Sequence, residues 1–224
     1  MSKLTRTASA LVGVLAVILV LALPAHAAPP STTVSPEGDY VSASLPPGGA
    51  ITVTIEGVSG SCTSSSSNPK LPLGSNTKNQ IPTAGNPSVS GQVKAKINKP
   101  SISNCETGIP GTTVTVATSG KWQISLQFRA SGSTGTIKVP QAGVVVTTSG
   151  LANCTGTVAP NGRANLKGAW TNGSPSTLAI TNAVVPIVVT GGGLCPVNAT
   201  TATVTVTYQV TDVSNPGSNV TVTG

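Results

Sequence analysis

The chain has 224 residues, with 12 Lys and Arg against 5 Asp and Glu and one histidine. Charged residues make up only 8% of it, which excludes the dense basic stripe with interleaved aromatics expected of a nucleic-acid binder. The histidine, His26, falls in an amino-terminal leader. His-based acid–base catalysis, Cys–His or Ser–His nucleophiles and histidine metal sites are therefore not expected in the mature chain.

The leader comes first. Lys3 and Arg6 precede an unbroken apolar run, Ala10 to Leu23, and Pro24 then leads into Ala25-His26-Ala27. A charged start, an apolar middle and a small-residue A-x-A end read as a signal peptide over residues 1–27. The run is shorter than the roughly 20 residues a membrane helix needs, and no later stretch is long enough. The mature protein is expected to be secreted, extracellular or loosely envelope-associated, with no membrane span after signal removal. Loss of Lys3 and Arg6 leaves 10 basic against 5 acidic side chains.

Residues 28–38 are rich in Pro, Ser and Thr and read as a flexible lead. The region 39–224 reads as β structure, divisible into halves 39–140 and 141–224. Ala50 to Glu56 alternates, with Ile51, Val53 and Ile55 on one face. Residues 63–88 read as a long polar loop, the kind of segment that often carries function. Val93, Ala95 and Ile97 then oppose Lys94 and Lys96, which share a strand face. That pair reads as a binding patch for anionic wall polymer or, more simply, as a solvated face protecting an edge strand. Thr112 to Thr118 is another candidate strand. Lys121 to Arg129 gives the clearest period of two, with Trp122, Ile124, Leu126 and Phe128 on one side. Val144 to Thr148, Leu166 to Trp170, Thr177 to Asn182, Ala183 to Thr190 and Val204 to Val210 complete the set. Turn signals separate them: Pro46-Pro47-Gly48-Gly49, Asn161-Gly162, Asn172-Gly173 and Gly191-Gly192-Gly193. Val, Ile and Thr dominate, as strands prefer. No helical apolar period follows the leader. The predicted fold class is all-β, a disulfide-stapled β-sandwich of immunoglobulin-like or jelly-roll-like kind, divisible into two related halves.

Four cysteines follow the leader: Cys62, Cys105, Cys154 and Cys195. An even number in an exported chain implies disulfides, and three pairings exist. The near-equal spacings of the first two and the last two favour Cys62–Cys105 and Cys154–Cys195.

Candidate chemistry is sparse. Glu37, Asp39, Glu56, Glu106 and Asp212 are the mature acids. Glu37 and Asp39 sit close together, but in a turn-like segment that reads as solvated loop rather than a paired-carboxylate cleft. Five scattered acids do not suit a carboxylate-rich metal site. No cofactor, no metal and no catalytic residue is expected, and the chain reads as not an enzyme. Carbohydrate-binding sandwiches display exposed aromatics. Of the five here, Trp122, Phe128, Trp170 and Tyr208 alternate inward with aliphatics, and only Tyr40 reads as exposed. Tyr40, Lys94 and Lys96 are therefore the candidate ligand contacts.

Several short motifs occur in order along the chain. They include Thr33-Val34-Ser35-Pro36, Cys62-Thr63-Ser64-Ser65-Ser66, Ile102-Ser103-Asn104-Cys105 and Thr112 to Val116, then Ser119-Gly120-Lys121-Trp122 and Asn153-Cys154-Thr155. Trp170 to Leu178, Cys195-Pro196 and Ala202 to Val210 follow. With these pieces the chain resembles a family of secreted, four-cysteine proteins from high-GC Gram-positive bacteria. The resemblance implies a signal peptide, one disulfide in each half and an all-β fold, and carries no functional residues over. A more distant likeness is to exported activators of alkane oxidation. The function expected from the sequence is that of a non-catalytic secreted or envelope-associated protein, structural or adhesive. The alternatives are a module binding a wall polysaccharide or other glycan, and a surface-hydrophobicity or alkane-uptake factor. The expected partner is a cell-wall polymer or a surface protein.

Overall fold

A computed structural model describes residues 30–89 and 91–224. Residues 1–27, read from sequence as a signal peptide, lie outside the described residues. Fifteen strands are present: β1 (Thr33–Ser35), β2 (Val41–Ser44), β3 (Ile51–Ile55), β4 (Val58–Ser67), β5 (Val93–Ile97), β6 (Ser101–Thr107), β7 (Thr112–Thr118) and β8 (Trp122–Gln127), followed by β9 (Thr134–Val139), β10 (Val144–Gly150), β11 (Cys154–Val158), β12 (Ala164–Thr171), β13 (Ser176–Gly191), β14 (Thr201–Asp212) and β15 (Thr221–Thr223). There is no helix among the described residues, so the all-β expectation holds.

The sheet forks. β13 pairs with β14 along most of its length. On its other edge the first part of β13 pairs with β12 and the second part with β11. One branch runs β12–β9–β8–β5, the other β11–β10–β7. Beyond β14 lie β2 and β3, both joined to β4, and β4 carries β6. β6 and β7 run close together, within 8 Å between Cα atoms, but share no backbone ladder. The fork in β13 coincides with a bulge between Ile180 and Ala183, where Asn182 takes φ 50°. Bulges bend and twist a strand, so one continuous strand can serve two branches. The sequence reads 177–182 and 183–190 as separate strands; the polar Thr181-Asn182 pair that suggests a break is the bulge.

Two apolar clusters form the interior. One gathers Val34, Ile51, Val93, Leu126, Trp170, Leu178, Ile180, Val206 and Val210. The other gathers Trp122, Val139, Ala164, Val185, Ile187, Val189 and Ala202. Val53, Ile137, Leu166 and Val204 flank both, so the clusters are continuous.

Two segments differ from the sequence reading. Residues 28–38 are expected to be flexible, yet Thr33–Ser35 pairs with β15 and Val34 is 2% exposed. An alternation only three residues long is invisible in a Pro/Ser/Thr background. Residues 63–88 are expected to be loop, yet β4 continues through Ser67, with Ser65 and Ser67 buried. Serine has low strand propensity, but here the β4–β6 and β2–β4 ladders set the conformation.

Candidate functional site

The inward faces of the strands pack incompletely. They enclose a cavity of about 320 Å³ lined by side chains from both apolar clusters. On β7, Val114 and Val116 face it while Thr113, Thr115 and Ala117 face solvent. Val144 and Val146 on β10, Val53 and Ile55 on β3, Ile97 on β5 and Val204 on β14 add to the lining. All of these inward side chains are only half-buried. Their remaining surface opens onto the cavity rather than onto packed neighbours. Composition accounts for this. The whole chain has one Phe, two Trp and two Tyr. Val, Ile and Thr side chains are short, and they leave the space between the sheet branches incompletely filled.

Polar groups on the lining are mostly paired with one another. Asn79, 2% exposed, donates through Nδ2 to the Val41 and Ser67 carbonyls, and its Oδ1 accepts the Asn98 N–H at 2.7 Å. The Tyr208 hydroxyl and Ser65 Oγ share a hydrogen bond of 2.9 Å. Burial pushes the Tyr208 phenol up from its ordinary pKa, partly opposed by the bond to Ser65. The lining carries no Lys or Arg, and its one carboxylate, Glu106, accepts a bond from Ser61 Oγ at an exposed position.

The cavity reaches the surface at one end. Val58, the first residue of β4, and Leu194, between β13 and β14, both line it and are 40% and 56% exposed. The Cys154–Cys195 bond fixes the loop that bears Leu194. Gly191, at φ 148°, makes that bond sterically feasible, because a Cβ there would collide with Cys195 Sγ and the Asn153 carbonyl. Cys62 and Cys105 are cross-strand partners on β4 and β6, with Cα atoms 4.0 Å apart. Both disulfides thus follow the pairing favoured by the cysteine spacing.

The sequence-predicted contacts lie elsewhere. Tyr40 is not exposed: it is 8% accessible, its hydroxyl donates to the Asn76 carbonyl, and segment 79–81 covers it. The 63–88 segment is what hides it, a long-range contact that local alternation does not report. Lys94 and Lys96 do project together from β5, exposed and away from the cavity. Trp122 and Trp170 are each 5% exposed and line the cavity wall, their indole N–H groups donating to the Ser119 carbonyl and to Asn172 Oδ1. Sequence reasoning missed the cavity itself. The usable signal was the scarcity of large side chains in a long alternating β sequence.

Comparison of the chain with family models, with curated proteins and with solved structures found no match in any of the three.

Proposed function

We propose that this protein is a secreted, non-catalytic carrier or receptor for a long apolar chain, either a hydrocarbon or the aliphatic tail of an amphiphile. The observation that supports it is the cavity of about 320 Å³ walled by Val and Ile and open beside Val58 and Leu194. Ligand pockets of proteins span about 300–1,000 Å³, and dry apolar cavities take up apolar guests. The two disulfides suit an oxidising compartment, and no helix of the described residues is long and apolar enough to cross a membrane. Of the roles expected from sequence, hydrocarbon uptake gains most. Glycan binding loses its candidate platform, because Tyr40, Trp122 and Trp170 are buried.

Trp122 and Trp170 on the wall supply the readout. A long-chain brominated hydrocarbon titrated into the oxidised protein should quench tryptophan fluorescence saturably, at about one equivalent, because heavy-atom quenching requires contact. Absence of saturable quenching up to the solubility limit would reject the carrier reading and leave a structural or adhesive role ahead.

A further inference from the structure

We propose that the outer face of the β5–β8–β9–β12 branch docks a linear polyanion whose charges are repeating phosphate groups. The proposal is independent of the carrier reading, which concerns the opposite side of the same strands. Ala95, Ile124, Ile137 and Leu166 are cross-strand partners in one row and line the cavity. Side chains alternate along a strand, so the rows on either side of this one face outward. One outward row is Lys96, Gln123, Lys138 and Asn165; the other is Lys94, Ser125, Thr136 and Lys167. Lys94, Lys96 and Lys167 are exposed and Lys138 is half-buried. Ser125 is buried and takes no part. Arg129, also exposed, joins the margin by donating from Nη2 to Gln127 Oε1 at 3.0 Å. None of the four strands contains an Asp or Glu.

Lysines on an outermost strand guard against edge pairing. β5 ends the branch, and that role accounts for Lys94 and Lys96. It does not account for Lys138 and Lys167, because β9 and β12 are paired on both sides. With no carboxylate between them, the four charges add into one positive field that favours a partner of opposite sign. Neighbouring strands are about 4.8 Å apart, so Lys96 and Lys138 stand about 10 Å apart and Lys94 and Lys167 about 14 Å. Rows of that length match an extended chain of charges rather than one small anion. Lysine is a flexible point charge that suits phosphate without the fork geometry of arginine. The other outward residues of the two rows are Gln, Ser, Thr and Asn, with no aromatic or large apolar side chain to enter a bilayer or stack on a base.

The test follows binding of fluorescein-labelled long-chain inorganic polyphosphate to the oxidised mature protein by anisotropy. Counterion release gives a log–log salt slope of about −0.7 per lysine for a flexible single strand of charge. Four lysines thus predict a slope of about −3, or binding about fiftyfold weaker at about 200 mM than at about 50 mM sodium chloride. In the double variant Lys138→Gln with Lys167→Gln, the slope should halve and that loss should shrink to about sevenfold. Asn165→Glu places a negative charge beside Lys138 and should weaken binding about tenfold. Thr113→Glu makes the same change of net charge at an exposed position on β7, in the other branch, and should leave binding within about twofold. Absence of binding at about 50 mM salt would overturn the proposal, as would a slope unchanged in the double variant or equal weakening by Thr113→Glu. Orthophosphate that displaces the probe at equal phosphate concentration would assign a small-anion site instead. Phosphatidylglycerol vesicles that bind as tightly as polyphosphate would assign a membrane surface, and either result rejects the polymer.

Discussion

The Asn86 side chain pairs with both backbone groups of Val34, accepting its N–H at 2.9 Å and donating to its carbonyl at 2.7 Å. One amide thus does for β1 what a neighbouring strand would do. Asn86 is 5% exposed and Val34 2%. Asn86→Ala leaves two buried backbone groups unpaired, at about 1–3 kcal/mol each. The expected loss is about 2–4 kcal/mol in urea unfolding, with protection of the Val34 amide from hydrogen exchange abolished. A loss below about 0.5 kcal/mol would show that β1 is held by β15 alone.

Each disulfide closes a loop of about 40 residues, worth about 4 kcal/mol through the constrained unfolded chain. In the Cys154→Ser protein, only Cys195 should react with iodoacetamide under native conditions. Labelling of Cys62 or Cys105 would contradict the cross-strand arrangement of β4 and β6.

Val146 sits across from Val116 on β7 and Gly156 on β11, and faces the cavity. In a filled core, Val→Phe overpacks and costs about 1–3 kcal/mol. Here the larger ring has room, so Val146→Phe should leave stability within about 1 kcal/mol of the parent or raise it. Quenching by the brominated hydrocarbon should weaken by at least about tenfold, equivalent to about 1.4 kcal/mol. Destabilisation typical of a packed core would mean that the β7–β10 wall collapses onto its neighbours.

Tyr208 makes stability sensitive to alkali. Its folded pKa lies above the unfolded value of about 10, first because of burial. The folded state holds the phenolic proton more tightly, so the contribution is complete below about pH 10 and disappears as pH rises through the folded value. Tyr208→Phe forfeits the Ser65 bond, about 1 kcal/mol at neutral pH, yet should lose stability less steeply above pH 10. Parallel pH profiles for the two proteins would reject this linkage.

The sequence made the strands legible wherever Val and Ile alternate with Thr or Lys, as in β3, β5, β7, β8 and β14. It also made the disulfide pairing legible, because the cysteine spacings repeat. β4 and β1 escaped notice because their inward residues, Ser65, Ser67 and Val34, gain burial from partners remote in sequence. Alternation tells which way Val116 or Val204 points, but not how far away the opposite wall stands. That distance depends on the fork in β13 and on ladders between segments more than a hundred residues apart. The same ignorance of long-range cover made Tyr40 look exposed.

A hollow interior also sets how the protein responds to compression. Unfolding under pressure is favoured in proportion to the void it eliminates, and ordinary domains shrink by about 20–100 mL/mol. If the cavity of about 320 Å³ is lost on unfolding, this chain should unfold at lower pressure than a packed domain of its size. An apolar chain held there, as proposed, would raise the pressure needed for unfolding, so hydrostatic pressure would gauge occupancy.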